Sequence, residues 1–257
     1  MVRGLEAGVI VAAIAPLIGI FLVLRRYSLI ADTLAHVSLA GITLALLLGW
    51  NPLFAALGTT LAASLGIEKL RSTKRVYGES ALAIFLSGSL ALAIVLISLG
   101  NGLSTNVFNY LFGSIVTVTS SDVLTILALA FVVSMMIFFF YKEIVYISFD
   151  EESARVSGIP VRTINALLII ATALTVSLAI PIVGVLLISA LIVIPAVTAL
   201  QWRTSFLKTI LIAEIYSIFS VTFGIMTSFY FNLSTGGTIV LTMIGIFLLT
   251  MLLTKQK

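Results

Sequence analysis

Asp32 and His36 are the residues of this chain best equipped for chemistry: a carboxylate and the only histidine, four positions apart inside a long apolar run. At i and i+4 a helix sets the two side chains on one face, one turn apart. Imidazole nitrogen plus carboxylate oxygen suits zinc, and also manganese or iron. Two donors from one chain leave the first shell incomplete. A homodimer with this helix at its axis would offer two Asp and two His, enough for a tetrahedral site. The same pair could serve instead as a proton relay, or as a hydrogen bond that pins two helices together. Ala31, Ala35, Ser38, Ala40 and Gly41 surround it, and small side chains let helix backbones approach closely in lipid, which puts the pair at a helix contact.

An ionisable group inside an apolar span costs ~2.5–3.5 kcal/mol on insertion scales, so each one needs a reason. Glu214, in Leu211-Ile-Ala-Glu-Ile-Tyr216, is a lone acid deep in such a run. It reads either as a secondary acid of an ion path or as a protonated structural acid, with Asn165 a conceivable partner. Glu79 stands at the edge of its run, where a solvated helix-end acid is the plainer reading and a second pathway acid the sharper one. Asp122 reads as an N-cap.

The elements that must position these groups are legible in the composition. Of 257 residues 61% are hydrophobic and 9% charged, against roughly a quarter charged in a soluble domain. Apolar runs of about 20 residues, the length needed to cross a hydrocarbon core, follow one another from end to end. The expected fold is all-α: a single polytopic transmembrane helical bundle over 1–257, with spans at 8–24, 28–50, 52–67, 79–99, 122–141, 163–180, 182–200, 206–230 and 236–253. Nine is the literal count. The stretches 52–67 and 182–200 are short and Pro195 interrupts the second, so eight crossings is the alternative.

Lys and Arg accumulate in cytoplasmic loops. With the N-terminus outside, the loops carrying Arg25, Arg26, Lys69, Arg71, Lys74, Arg75, Lys142, Arg155, Arg162, Arg203 and Lys208 fall inside, as does the tail with Lys255 and Lys257; only Arg3 lies outside. The net charge of +4 is therefore dispersed between spans, not gathered into the footprint a nucleic-acid partner requires. Arg25 and Arg26 stand where a signal-peptidase site would be, so the first span reads as retained. With no cysteine there is neither a disulfide framework nor a thiolate metal site.

Two loops stand out. The stretch 101–121 is long and free of Lys and Arg, with Phe108, Tyr110 and Phe112, and reads as an external loop with a short interfacial helix. The cytoplasmic stretch 142–162 carries Asp150 as N-cap, Glu151 and Glu152 at the positive end of a helix dipole, and Gly158 and Pro160 as the stop. It predicts a helix of about two turns, unless it is an ordinary connecting loop. No phosphate-binding loop, zinc-protease helix or nucleophile elbow is present. The chain reads as no enzyme, and any energy for pumping must come from a partner or a gradient.

Three segments together resemble the metal-uptake permease family of ATP-binding-cassette importers. They are Leu24-Arg-Arg-Tyr-Ser-Leu-Ile-Ala-Asp-Thr-Leu-Ala-His-Val-Ser-Leu-Ala-Gly41, Ser148-Phe-Asp-Glu-Glu-Ser-Ala-Arg-Val-Ser-Gly158, and Val183-Gly-Val-Leu-Leu-Ile-Ser-Ala-Leu-Ile-Val-Ile-Pro-Ala-Val-Thr-Ala199. The resemblance implies that Asp32 and His36 are ligands in a translocation pathway. It implies that Asp150, Glu151, Glu152, Ala154 and Gly158 form the coupling helix that meets an ATP-binding subunit. It further implies two permeases around one pore in the plasma membrane, two ATPases beneath them, and an extracytoplasmic metal-binding protein that delivers the ion. Zinc or manganese would be cargo, with no tightly bound cofactor. Asp-Thr-Leu-Ala-His looks closer to the zinc branch, and Ala40 stands where the manganese branch is associated with proline. Two rivals remain: a proton-coupled carrier using Asp32, His36 and Glu214, and a membrane scaffold subunit.

Overall fold

In a computed structural model that describes residues 2–72, 77–100, 104–113 and 119–254, the chain is built from helices alone among the described residues. Lys74, Arg75, Lys255 and Lys257, counted above as basic loop and tail residues, lie outside them. The twelve helices there are α1 (Val2–Leu24), α2 (Leu29–Leu48), α3 (Pro52–Ser72), α4 (Gly78–Leu99), α5 (Ser104–Phe112), α6 (Ser120–Phe139), α7 (Tyr141–Phe149), α8 (Glu151–Val156), α9 (Val161–Val183), α10 (Val185–Leu200), α11 (Phe206–Phe231) and α12 (Thr235–Thr254).

Local chemistry sets the ends. Pro52 opens α3 at the first helical position, where its missing N–H costs nothing. Gly49 ends α2 in the left-handed region at φ 69°, its N–H donating to Ala45 O. At α6 the cap is Thr119, not Asp122. Thr119 Oγ1 accepts from the Asp122 N–H at 3.2 Å, while Asp122 Oδ2 accepts from the Thr119 N–H at 2.9 Å. Asp122 is thus the third helical residue of a capping box, reaching back to the N-cap. The helix α7, which the sequence reading ran together with its loop, precedes the expected short helix α8.

Among the described residues, eight helices are long and apolar enough to cross a membrane. The ninth candidate, α10, has 16 residues and so rises roughly 24 Å. Pro195 lies inside it without breaking it. What divides α9 from α10 is Gly184, at φ 87°. A Cβ there would sit 2.5 Å from Gly113 N and 2.6 Å from Leu111 O, so α5 presses on a backbone that only glycine leaves open. The other end of α10 reaches the end of α1, where Ala196 and Ala199 cluster with Ile20, Ile210 and Ala213. It therefore runs between the same two levels as its longer neighbours.

Burial separates inner from outer helices. The spans of α2 and α9 are 72% buried, against 17% for α4 and α12, which places α2 and α9 at the centre. The outer helices present Ile84, Leu92, Phe131, Phe138, Leu241 and Leu248 outward, the surface that lipid covers. Two faces close the bundle. On one, Phe206 meets Phe21 and Tyr141 at a tilt and Phe149 edge-on, joining the ends of α1, α7 and α11. On the other, α5 meets Gly184 and Gly236.

Candidate functional site

The helix that carries Asp32 and His36 is held on several sides. Small residues bring α3 against it: a Cβ on Gly41 would lie 2.1 Å from Thr59 Oγ1. Thr33 is fully buried and donates to Leu29 O at 2.9 Å, with Leu82 O of α4 at 3.5 Å. Further contacts come from α9 and α10. One stripe stays less covered. Leu29, Asp32, His36, Leu44 and Leu47 follow one another at steps of three, four, eight and three residues and are exposed or half-buried, the repeat of one helix face.

On that stripe His36 Nε2 stands 3.9 Å from Asp32 Oδ1, with the two side chains 15% and 36% exposed. The separation is too long for a hydrogen bond. Zn–N and Zn–O bonds of about 2.0–2.2 Å at a tetrahedral angle put two donors roughly 3.4 Å apart, so both can reach one ion after a shift of about half an ångström. His36 Nδ1 is buried without a hydrogen-bond partner, although buried polar atoms are normally paired. Among the described residues no third His, Asp or Glu joins the two in a group able to hold a metal.

The other acids stand elsewhere. Glu214 is half-buried on α11, which packs on α1, α10 and α12, whereas α2 packs on α3, α4, α9 and α10. Asn165, its suggested partner, lines a different cavity, and its Oδ1 has no hydrogen-bond partner. Glu79 is exposed in the first turn of α4. The structure thus brings Asp32 and His36 together and leaves Glu214 and Glu79 apart from them.

The short helix α8 is capped as its sequence expects. Ser153 N–H donates to Asp150 Oδ1 at 2.9 Å and Ser153 Oγ to Asp150 Oδ2 at 2.6 Å. These bonds hold the Asp150 carboxyl below the usual carboxylate range. Glu151 and Glu152 occupy the first turn, Ala154 is fully buried, and Gly158 turns the chain away at φ 84° with open space around it. Val156 is 90% exposed at the tip, an apolar residue offered outward.

Sequence reasoning missed the ion-pair cluster around this helix. Arg71 binds Glu68 in a bidentate pair, both contacts at 2.9 Å, and donates to the Tyr27 hydroxyl. Arg25 reaches Glu151 at 3.5 Å, and Arg155 reaches the other oxygen of Glu151 at 3.1 Å. A cavity of about 590 Å³ lies beside them, lined by Arg71, Glu151, Arg155, Arg162 and Asn165. Arg25 and Arg71 were read only as loop charges and Glu68 not at all. The available signal was the doubled arginine just before the helix of Asp32.

The fold and the relatives agree. A solved structure, PsaBC from Streptococcus pneumoniae in complex with Fab, matches with a TM-score of 0.86 at 30% identity, over 96% of this chain and 89% of that one. The high-affinity zinc uptake system membrane protein ZnuB of Buchnera aphidicola subsp. Acyrthosiphon pisum is 35% identical over 93% of this chain and 91% of its own length. The manganese transport system membrane protein MntC of Listeria innocua is 31% identical over 99% of this chain and 91% of its own. The family model of the ABC 3 transport family matches residues 1–254, and the chain belongs to that family, a multi-pass membrane permease.

Proposed function

We propose that this chain forms the transmembrane pathway of an ATP-driven importer of divalent metal ions, with Asp32 and His36 as ligands the ion meets on its way. The observation that carries the reading is the pair itself: an imidazole with a buried, unpartnered nitrogen and a carboxylate, 3.9 Å apart, on the stripe of α2 that its neighbours cover least. A second copy placed across that stripe would complete a four-donor shell. The pore is then a dimer interface. Affinity there must be modest, because an ion bound too tightly would not leave.

The distribution of Lys and Arg supports an orientation with the face of α7 and α8 in the cytoplasm and the N-terminus outside. One ATP-binding subunit docks on the α8 of each copy, two in the dimer, through Asp150, Glu151, Glu152 and the exposed Val156, and Ala154 and Gly158 fix its pose. An extracytoplasmic metal-binding protein docks on the face of α5. Relatives carry zinc and manganese in their names. Zinc is the ion proposed first, on the likeness of 32–36 to that branch. Thr33 itself points into the bundle and does not face the ion, so the donor set suits manganese as well.

The test is uptake by the reconstituted permease with its ATPase and binding protein. Asp32→Asn or His36→Ala abolishes metal entry while insertion and ATPase assembly persist. Normal uptake by both variants would sink the site.

A further inference from the structure

Arg25 is placed where a guanidinium is costly. It stands in the turn between α1 and α2 with its side chain 5% exposed. Burial draws it below its ordinary pKa and Glu151 opposes that pull. Its guanidinium lies 5.2 Å from the centre of the Tyr27 ring, and that of Arg71 lies 4.9 Å from the same ring. Two cations share one aromatic ring, and each needs its own anion. Arg71 has Glu68, three residues away on its own helix. Arg25 takes Glu151, 126 positions away, at 3.5 Å.

That choice of partner has a mechanical meaning. Glu151 is the first residue of α8, and α8 otherwise packs chiefly on its chain neighbours α7 and α9. Arg25 precedes Leu29, the first residue of α2, by four positions, and Asp32 lies in the first turn beyond. The turn itself is stiff. Tyr27 N–H donates to Leu22 O at 2.8 Å and Ile30 N–H to Tyr27 O at 3.0 Å, which ties the turn to both helices. Arg26 holds a left-handed backbone at φ 60°. A displacement applied at Arg25 is therefore passed into α2 instead of being absorbed. Among the described residues, no other ion pair joins α7 or α8 to this turn.

We propose that Arg25 and Glu151 are the positioning pair that carries movement of α8 to α2, and so to Asp32 and His36. The inference rests on the metal-importer reading above. Glu151 also accepts from Arg155 on the next turn of α8, which fixes its carboxylate in the pose that meets Arg25. Movement of α8 under an ATPase subunit thus pulls on the base of the helix that holds the ion.

The experiment uses the permease with its ATPase subunits in proteoliposomes and reads metal uptake and ATP hydrolysis separately. In Arg25→Gln, hydrolysis continues while metal moved per ATP falls on the order of tenfold; Glu151→Gln, scored per ATPase subunit bound because Glu151 also faces that subunit, shows the same fall in metal moved per ATP. Arg25→Lys and Glu151→Asp, which keep the charges, retain most of the coupling. Because the chain has no cysteine, Arg25→Cys/Glu151→Cys carries the subunit's only two thiols. It starts uncoupled, a bis-methanethiosulfonate that bridges the two thiols through mixed disulfides, losing methanesulfinate at each, restores uptake per ATP, and a thiol reductant removes the bridge again. Unchanged uptake per ATP in both glutamine variants overturns the proposal. Should those variants fail to assemble, the bridged cysteine pair decides: assembly with coupling restored supports the link, and assembly with coupling still lost overturns it. Asp32→Asn runs alongside. Normal uptake there defeats the metal reading, whereas abolished uptake there beside unaltered coupling in Glu151→Gln defeats the link alone.

Discussion

The chain holds two ionisable clusters of opposite character. Around Tyr27 three guanidiniums each meet a carboxylate: Arg71 meets Glu68 at 2.9 Å, Arg155 meets Glu151 at 3.1 Å, and Arg25 meets Glu151 at 3.5 Å. On α2, Asp32 and His36 stand 3.9 Å apart and His36 Nδ1 is buried without a partner. Burying polar groups is costly unless they are paired, and the chain pairs them thoroughly at one place and leaves them short at the other. Closed chemistry fits a joint. Open chemistry fits a station where something arrives and departs.

The contrast can be broken at either cluster. The largest effect is expected at the open one: Asp32→Asn, His36→Ala and the double variant all bring uptake to the background, and the double falls no lower than either single, because the donors act as a unit. A double variant clearly worse than both singles would mean that the residues act separately. Next is Gly184→Val, a control outside both clusters, where backbone atoms at 2.5–2.6 Å and φ 87° admit no side chain. It destabilises the detergent-solubilised protein by about 3 kcal/mol, read as a fall in the thermal unfolding midpoint. An unchanged midpoint would remove the account of the α9 to α10 break.

At the closed cluster, Arg71→Leu leaves Glu68 without its partner among half-buried neighbours and costs about 2 kcal/mol of stability. Glu68→Gln added to it recovers part of the loss, and no recovery would show that Arg71 acts by packing alone. The smallest effect is at Asp150. Its carboxyl is held below the usual range by Ser153, so the ionised form caps α8 in the folded chain. That contribution is fully present above the ordinary carboxylate value and fades as the pH falls below about 4, through the depressed folded value. The protection factors of the 151–156 amides, taken against the intrinsic rate at each pH, therefore fall at acid pH in the parent, and Asp150→Ala shows low protection at every pH.

How far the sequence speaks follows the same contrast. That Asp32 and His36 share one face of α2 was legible because four positions inside an unbroken apolar run make one helical turn. The membrane helices were legible from apolar length, and α8 from Asp150 and Gly158. Arg25 with Glu151 was not, since the pair spans 126 positions and each residue alone reads as an ordinary loop charge. Glu68 was hidden by its place inside α3, where it looks like the acid of a helix end. The cap of α6 was misplaced by three residues because an acid at the third helical position carries the same signal as an acid at the cap. Gly184 needed the structure, because what excludes a side chain there is the backbone of α5, about 70 residues earlier in the chain.

The central claim is that the open pair is half of a shared site. Equilibrium binding of zinc to the purified permease assembled with its ATPase, counted by elemental analysis against protein, tests it most directly. The account predicts one ion for every two copies of this chain, lost in Asp32→Asn and in His36→Ala. One ion per copy, or binding that survives both substitutions, would contradict it.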